Sequence, residues 1–135
     1  MKLLRIGKKG HEIPVAIDKN GKYRNLSTHI NDLNPDTINF ETLNILKNIN
    51  LENLDEVNQK ERIGSCISKP GNFFAIGLNY VEHAKETGSK TPENPVLFNK
   101  SVHCIVGPND NVIIPKDSKK LDHEVEIAFV IGKKA

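Results

Sequence analysis

Two acidic residues, Glu124 and Glu126, interrupt a run otherwise built of Val, Ile, Ala and Phe that extends to Ile131. In a strand, side chains alternate faces, so both carboxylates would share one face while Val125 and Ile127 share the other. Their Cα atoms would then lie roughly 6.5 Å apart. Such a pair suits a hard divalent cation, above all Mg²⁺, which favours carboxylate oxygens and keeps several waters. The plainer alternative is an amphipathic edge strand with a solvated acidic face, and spacing alone weighs the two about evenly. Asp122 falls on the same face as the pair.

A second constellation runs from Asn79 to Glu86. If it is helical, His83 and Glu86, three residues apart, touch on one face. A carboxylate beside an imidazole fixes its tautomer and favours the protonated form, which tunes a histidine as a general acid or base. Taken alone, a surface helix of mixed charge is the commoner explanation, with Glu82 and Lys85 facing solvent. His11 and His29 sit in polar loops. His103, Cys104 and His123 do not follow a zinc spacing. Gly77-Leu78-Asn79 is too short for a phosphate loop, and no G-x-G-x-x-G is present.

The elements that must position these groups belong to a chain of 135 residues, 37% hydrophobic and 27% charged, with net charge +2. Lysines alternate with acids and form no basic block, which argues against a nucleic-acid partner. No apolar run approaches 18 residues, so no membrane partner is expected, and Met1 to Ile6 is broken by charge too early for a signal peptide. Cys66 and Cys104 have no partners at metal-ligand spacing and read as reduced thiols, Cys66 as a small buried residue. The expected compartment is cytoplasmic.

The pattern predicts an α+β, mainly β chain with a small N-terminal β-rich module over residues 1–68 and a second domain over 69–135. Lys2 to Ile6, Pro14 to Ile17 and Lys22 to Leu26 read as strands, the last two joined by an Asn-Gly hairpin turn. Phe40 to Lys47 reads as a helix capped by Asn39. Asn48 to Glu61 is expected to be a loosely structured connector. After the break at Pro70-Gly71, Phe73 to Leu78 predicts a buried strand, Tyr80 to Glu86 a short helix and Gly88 to Pro95 a mobile loop. Val96 to Phe98 and Val112 to Ile114 predict further strands around a turn at Gly107 to Asn111.

In order, Ala75-Ile76-Gly77-Leu78-Asn79-Tyr80 with His83, Pro95-Val96-Leu97-Phe98-Asn99-Lys100, Ile105-Val106-Gly107-Pro108 with Ile114-Pro115, Asp122-His123-Glu124-Val125-Glu126 and Val130-Ile131-Gly132-Lys133 resemble the fumarylacetoacetate hydrolase family. The likeness runs from about Lys69 to Lys134. The leading module, with Met1 to Arg5 and Arg24 to Ser27, looks like that of the branch often called ureidoglycolate lyase. The resemblance implies a metal-dependent hydrolase, lyase or isomerase acting on 2-oxo acids and β-diketo acids, with Mg²⁺ or Mn²⁺ held by Glu124 and Glu126. It implies an acid–base dyad of His83 and Glu86 on a lid, Lys100 in the substrate pocket, and a homodimer. A 2-hydroxyhepta-2,4-dienedioate isomerase or decarboxylase is the rival within the family; a non-catalytic fragment is the rival outside it.

Departures from the family pattern occur at His123, where an aromatic residue is usual, and at His103, where a small hydroxyl residue is common. Family members are also longer, and the resemblance places a third carboxylate ligand, an Asp, beyond Ala135. The second domain is therefore expected to be the incomplete beginning of the catalytic fold. Residues 1–135 alone are expected to be inactive and poorly stable, because the runs Phe73 to Leu78 and Ile127 to Ile131 would lack covering strands.

Overall fold

The computed structural model of the chain describes residues 1–133. Its first element is an antiparallel sheet in the order β1 (Lys2–Ile6), β2 (Ile13–Ile17), β3 (Tyr23–Asn25) and β4 (Glu56–Val57). The register of β1 on β2 pairs Lys2 with Ile17 and Ile6 with Ile13. Val15 and Ala16 are successive residues of β2, hence on opposite faces, and both are fully buried, so the sheet is covered on both sides at its centre. On one side Ala16 packs with Leu26, Ile30, Leu33 and Leu46, and Leu3, Ile38, Ile49, Leu51 and Leu54 pack around that cluster.

The β2–β3 turn follows the Asn-Gly signal. The Asp18 carboxylate accepts from the N–H groups of Asn20 and Lys22 at 2.8 and 2.9 Å and from Arg24 Nε at 2.8 Å. Gly21 takes φ +79°, which only glycine adopts without strain. Helix α1 (Phe40–Lys47) starts where Asn39, in extended conformation, accepts from the Thr42 N–H at 2.8 Å; Leu46 is its one buried residue. The segment expected to be a loose connector is ordered instead. A 3₁₀ turn at Leu51–Asn53 leads into β4, and Arg24 fastens it by donating to the Leu54 carbonyl at 3.1 Å. Its hydrophobic spacing (Leu51, Leu54, Val57) belongs to a strand edge and a packing turn, which helical periodicity does not reveal.

A charge network ties this sheet to residues far along the chain. Arg5, nearly buried, donates to Asp32 at 2.6 and 3.0 Å and to Glu12 at 3.3 Å. Glu12 also accepts from Arg62 at 2.8 Å, and Arg62 forks onto Asp110 at 2.6 and 2.7 Å. Around it, the Gly7 N–H donates to the Arg62 carbonyl and the Gly64 N–H to the Arg5 carbonyl. Gly107 lies against the Ile63 carbonyl and the Gly64 Cα so closely that a Cβ would collide with backbone. Burial pushes the Glu12 carboxyl up, but Arg62, backbone N–H groups and Arg5 outweigh it and hold it below the usual carboxylate range. The Arg62 guanidinium and the Gly107 N–H hold Asp110 at about 2.

The chain divides into two compact units, residues 1–68 with 106–135, and residues 69–105. In the smaller unit β5 (Phe73–Gly77) pairs antiparallel with β6 (Val96–Lys100), setting Phe73 opposite Lys100 and Gly77 opposite Val96. Helix α2 (Val81–Glu86) lies between them in sequence, and Ala84 is its buried residue. The reading of Phe73 to Leu78 as a buried strand is corrected in two ways. Phe74 is 56% and Ile76 38% exposed, because this sheet has only two strands. Leu78 lies outside the strand in a left-handed turn at φ +50°.

In the larger unit, Gly107 to Asp110 forms the expected turn, closed by the Gly107 N–H donating to Asp110 Oδ2 at 2.8 Å. Beyond it the expected strands are not formed. Val112 to Ile114 and the whole stretch 122–131 lie in no β-ladder among the described residues and are exposed. An apolar, alternating run becomes a strand only where a ladder forms alongside it, and its sequence pattern alone does not supply that. Gly132 passes close to the Ile38 carbonyl, where a Cβ would come within 2.5 Å. Cys66, expected to be buried, is exposed, since Gly64 and Ile67 take the inward positions around it.

Candidate active site

His83 and Glu86 are delivered by α2. The chain reverses from β5 through Leu78 and enters the helix at Tyr80, whose side chain gives no capping bond. A left-handed leucine costs about 1–2 kcal/mol in backbone energy, so the turn is held by what surrounds it. One helical turn then brings His83 Nδ1 within 3.9 Å of Glu86 Oε2, with both side chains at least half exposed. At 3.9 Å the contact is longer than a hydrogen bond, and at that exposure it is worth little to stability. Beside it Lys85 bonds Glu82 at 3.0 Å, both toward solvent as expected.

Lys100 ends β6. It lies on the same strand face as Phe98, with its ammonium 5.9 Å from the ring centroid, a cation–π contact that keeps the charge over an apolar surface. Phe98 in turn lies against Gly77, where a Cβ would meet the ring edge at 3.4 Å. The same unit contains a shallow cavity of about 280 Å³ between Ile76–Asn79 and Thr91–Val96. Its walls are the left-handed turn and the Pro-rich loop before β6. Sequence reading placed a mobile loop there and did not identify the cavity, whose only advance sign is the glycine preceding Leu78.

Glu124 and Glu126 lie in the other compact unit, on the exposed stretch outside the ladders. The structure thus brings His83 and Glu86 together and sets Lys100 in the same unit; the two glutamates belong to a different one. Among the described residues no three His, Cys, Asp or Glu side chains gather into a metal-holding group. The donor chemistry of Glu124 and Glu126, two hard carboxylates, fits Mg²⁺ or Mn²⁺ as part of a larger ligand set.

Residues 72–135 match the family model described as "Fumarylacetoacetate (FAA) hydrolase C-terminal". A protein of Burkholderia ambifaria named "Putative hydrolase" is 46% identical over 98% of this chain and 47% of its own length. A protein of the same name from Burkholderia orbicola is 46% identical over 99% of the chain and 48% of its own length. The chain therefore spans about half the length of the curated relatives it matches. The solved structure described as "Crystal structure of a putative HpcE protein from Mycobacterium smegmatis" superposes with a TM-score of 0.68 at 24% identity, over 86% of this chain and 41% of that one. That likeness shows the fold, and the α+β, mainly β class expected from sequence stands with it. No helix of the described residues is long and apolar enough to cross a membrane.

Proposed function

We propose that this chain is part of a member of the fumarylacetoacetate hydrolase family, an enzyme that uses Mg²⁺ or Mn²⁺ to cleave or rearrange 2-oxo acids or β-diketo acids. The observation that carries this reading is the family match over residues 72–135, which contains every residue named below. Glu124 and Glu126 supply two carboxylates of the metal site. The cation, when bound, supplies a Lewis acid that offsets charge developing on a substrate oxygen. His83, with Glu86 beside its Nδ1, moves a proton at the substrate carbon or at water. The Lys100 ammonium pairs with the substrate carboxylate, and Phe98 beneath it limits the directions that the ammonium can take. Within this class, acylpyruvate hydrolase or lyase action is the leading assignment, and 2-hydroxyhepta-2,4-dienedioate isomerisation or decarboxylation uses the same parts. A cytoplasmic homodimer is the working arrangement.

The test is turnover of an acylpyruvate and of oxaloacetate by a single polypeptide. It joins residues 1–135 to the part of the Burkholderia ambifaria relative lying outside the match. Turnover should require Mg²⁺ or Mn²⁺. His83→Ala should lower kcat about 10²–10⁴-fold with metal binding retained. Glu124→Ala should lower metal occupancy first. Turnover unaffected by chelator, or unchanged in His83→Ala, would overturn the assignment.

A further inference from the structure

We infer that the cavity at the tip of the β5–β6 hairpin receives the far end of the 2-oxo acid substrate, and that it selects an uncharged tail over one ending in a carboxylate. The inference rests on the function proposed above, which sets the substrate's keto-acid end against the Lys100 ammonium. Val96, Phe98 and Lys100 are alternate residues of β6 and share one face. The register puts Ala75 opposite Phe98 and Gly77 opposite Val96, so two small residues face two larger ones and leave a furrow along the hairpin. The ammonium stands at one end of it, 5.9 Å from the Phe98 ring centroid. The ring reaches Gly77, where a Cβ would meet its edge at 3.4 Å, and Gly77 and Val96 are walls of the cavity. Along β6 the Cα atoms of Lys100 and Val96 lie about 13 Å apart. By lying over Phe98 the ammonium has come back toward Val96, and what remains is the length of a short acyl chain.

The lining decides which end group is accepted. Ile76, Leu78 and Val96 supply apolar wall; Asn79, Thr91 and Asn94 supply amide and hydroxyl groups without charge. Glu93 is the charged residue of the lining, and none of the described residues around the cavity is Lys, Arg or His. A tail carboxylate would shed water there and meet a second anion with no cation in the wall, which is unfavourable. A methyl, hydroxyl or amide end meets apolar wall and neutral hydrogen-bonding groups instead. A cavity of roughly 150 Å³ takes a benzene ring. At about 280 Å³ this one admits a tail of several carbons. An acylpyruvate with a neutral acyl group satisfies such a wall; a dienedioate, with a carboxylate at each end, does not.

The experiment uses the single polypeptide described above with Mg²⁺, and two pairs of compounds that differ only in the end group of the tail. The first pair is acylpyruvates whose acyl chain ends in an amide or in a carboxylate, and kcat/KM is read. The second is 2-oxoadipate and its terminal amide, which lack the β-keto group that cleavage needs. Their binding is read from the backbone NMR shifts of Thr91, Glu93, Asn94 and Val96. The amide compound of each pair should be favoured at least about tenfold. Glu93→Gln should narrow both ratios at least about threefold, whereas Glu82→Gln, on α2, should leave them unchanged. Equal treatment of the two end groups, a preference for the carboxylate, ratios unmoved by Glu93→Gln, or shifts confined to residues outside the lining would each overturn the inference. The binding difference without turnover of either acylpyruvate would sink the functional proposal alone. Metal-dependent turnover with no preference for the uncharged tail would sink the cavity assignment alone, and neither turnover nor shifts at the lining would sink both.

Discussion

Residues 13–17 (Ile-Pro-Val-Ala-Ile) and 127–131 (Ile-Ala-Phe-Val-Ile) read alike as text: five-residue apolar runs rich in β-branched side chains. Their fates in the structure are opposite. Val15 and Ala16 have no solvent exposure, flanked by β1 and β3 and covered on both faces. Ile127 and Phe129 are more than four-fifths exposed and outside every ladder described. β-propensity measures how well a residue fits a pleated, half-buried surface, and it becomes structure only where neighbours provide that surface.

The largest effect expected from this contrast is in packing. Leu46→Ala, in the cluster beneath β2, should cost about 2–5 kcal/mol, while Ile127→Ala in residues 1–135 should stay within about 0.5 kcal/mol. Urea denaturation of the two variants checks this. Equal losses would mean that 124–131 is packed as firmly as the N-terminal core. A smaller effect should separate the two regions by acidity. Asp110 is held at about 2, so its bond to Arg62 stabilises fully above the unfolded carboxylate value near 4 and is lost as pH falls from there toward 2. Asp110→Asn should flatten the acid limb of stability measured between pH 5 and 2, and Glu124→Gln on the open stretch should leave that limb unchanged. The smallest effect belongs to the turn before α2. Leu78→Gly relieves a left-handed backbone and gives back part of the gain as chain entropy, for a net stabilisation of at most about 1 kcal/mol. A thermal melt that falls would show Leu78 held by packing worth more than its strain.

What sequence reading anticipated has a common physical character: it was local. Asn39 capping α1, the Asn-Gly turn, the i, i+3 meeting of His83 with Glu86 and the short strands begun at Phe73 and Val96 all follow from residues a few positions away. What it missed depends on partners distant in the chain. Arg5, Glu12, Asp32, Arg62 and Asp110 are scattered over a hundred positions with no periodicity to betray their meeting. β4 is two residues long, and only its place beside β3 makes it a strand. Cys66 was misjudged because a run of small and apolar neighbours does not say which of them turns inward. Glu124 and Glu126 were legible as a pair of carboxylates on a strand-like pattern, but among the described residues that pattern forms no ladder.

The Arg62 fork onto Asp110 has a bearing on how such a chain can vary. The excursion over residues 69–105 departs just after Ser68, whose N–H is bonded to the Leu33 carbonyl at 2.7 Å. It returns at Gly107, which is wedged against Ile63 and Gly64. Both ends are thus moored to one platform, and the span between them behaves as a tethered polymer loop whose closure is already secured. Doubling the length of such a loop costs only about 0.6 kcal/mol of closure entropy. Insertions or deletions between Gly88 and Pro95 should then pass with little penalty to the platform, so that the segment shaping the cavity can drift freely while its moorings stay fixed.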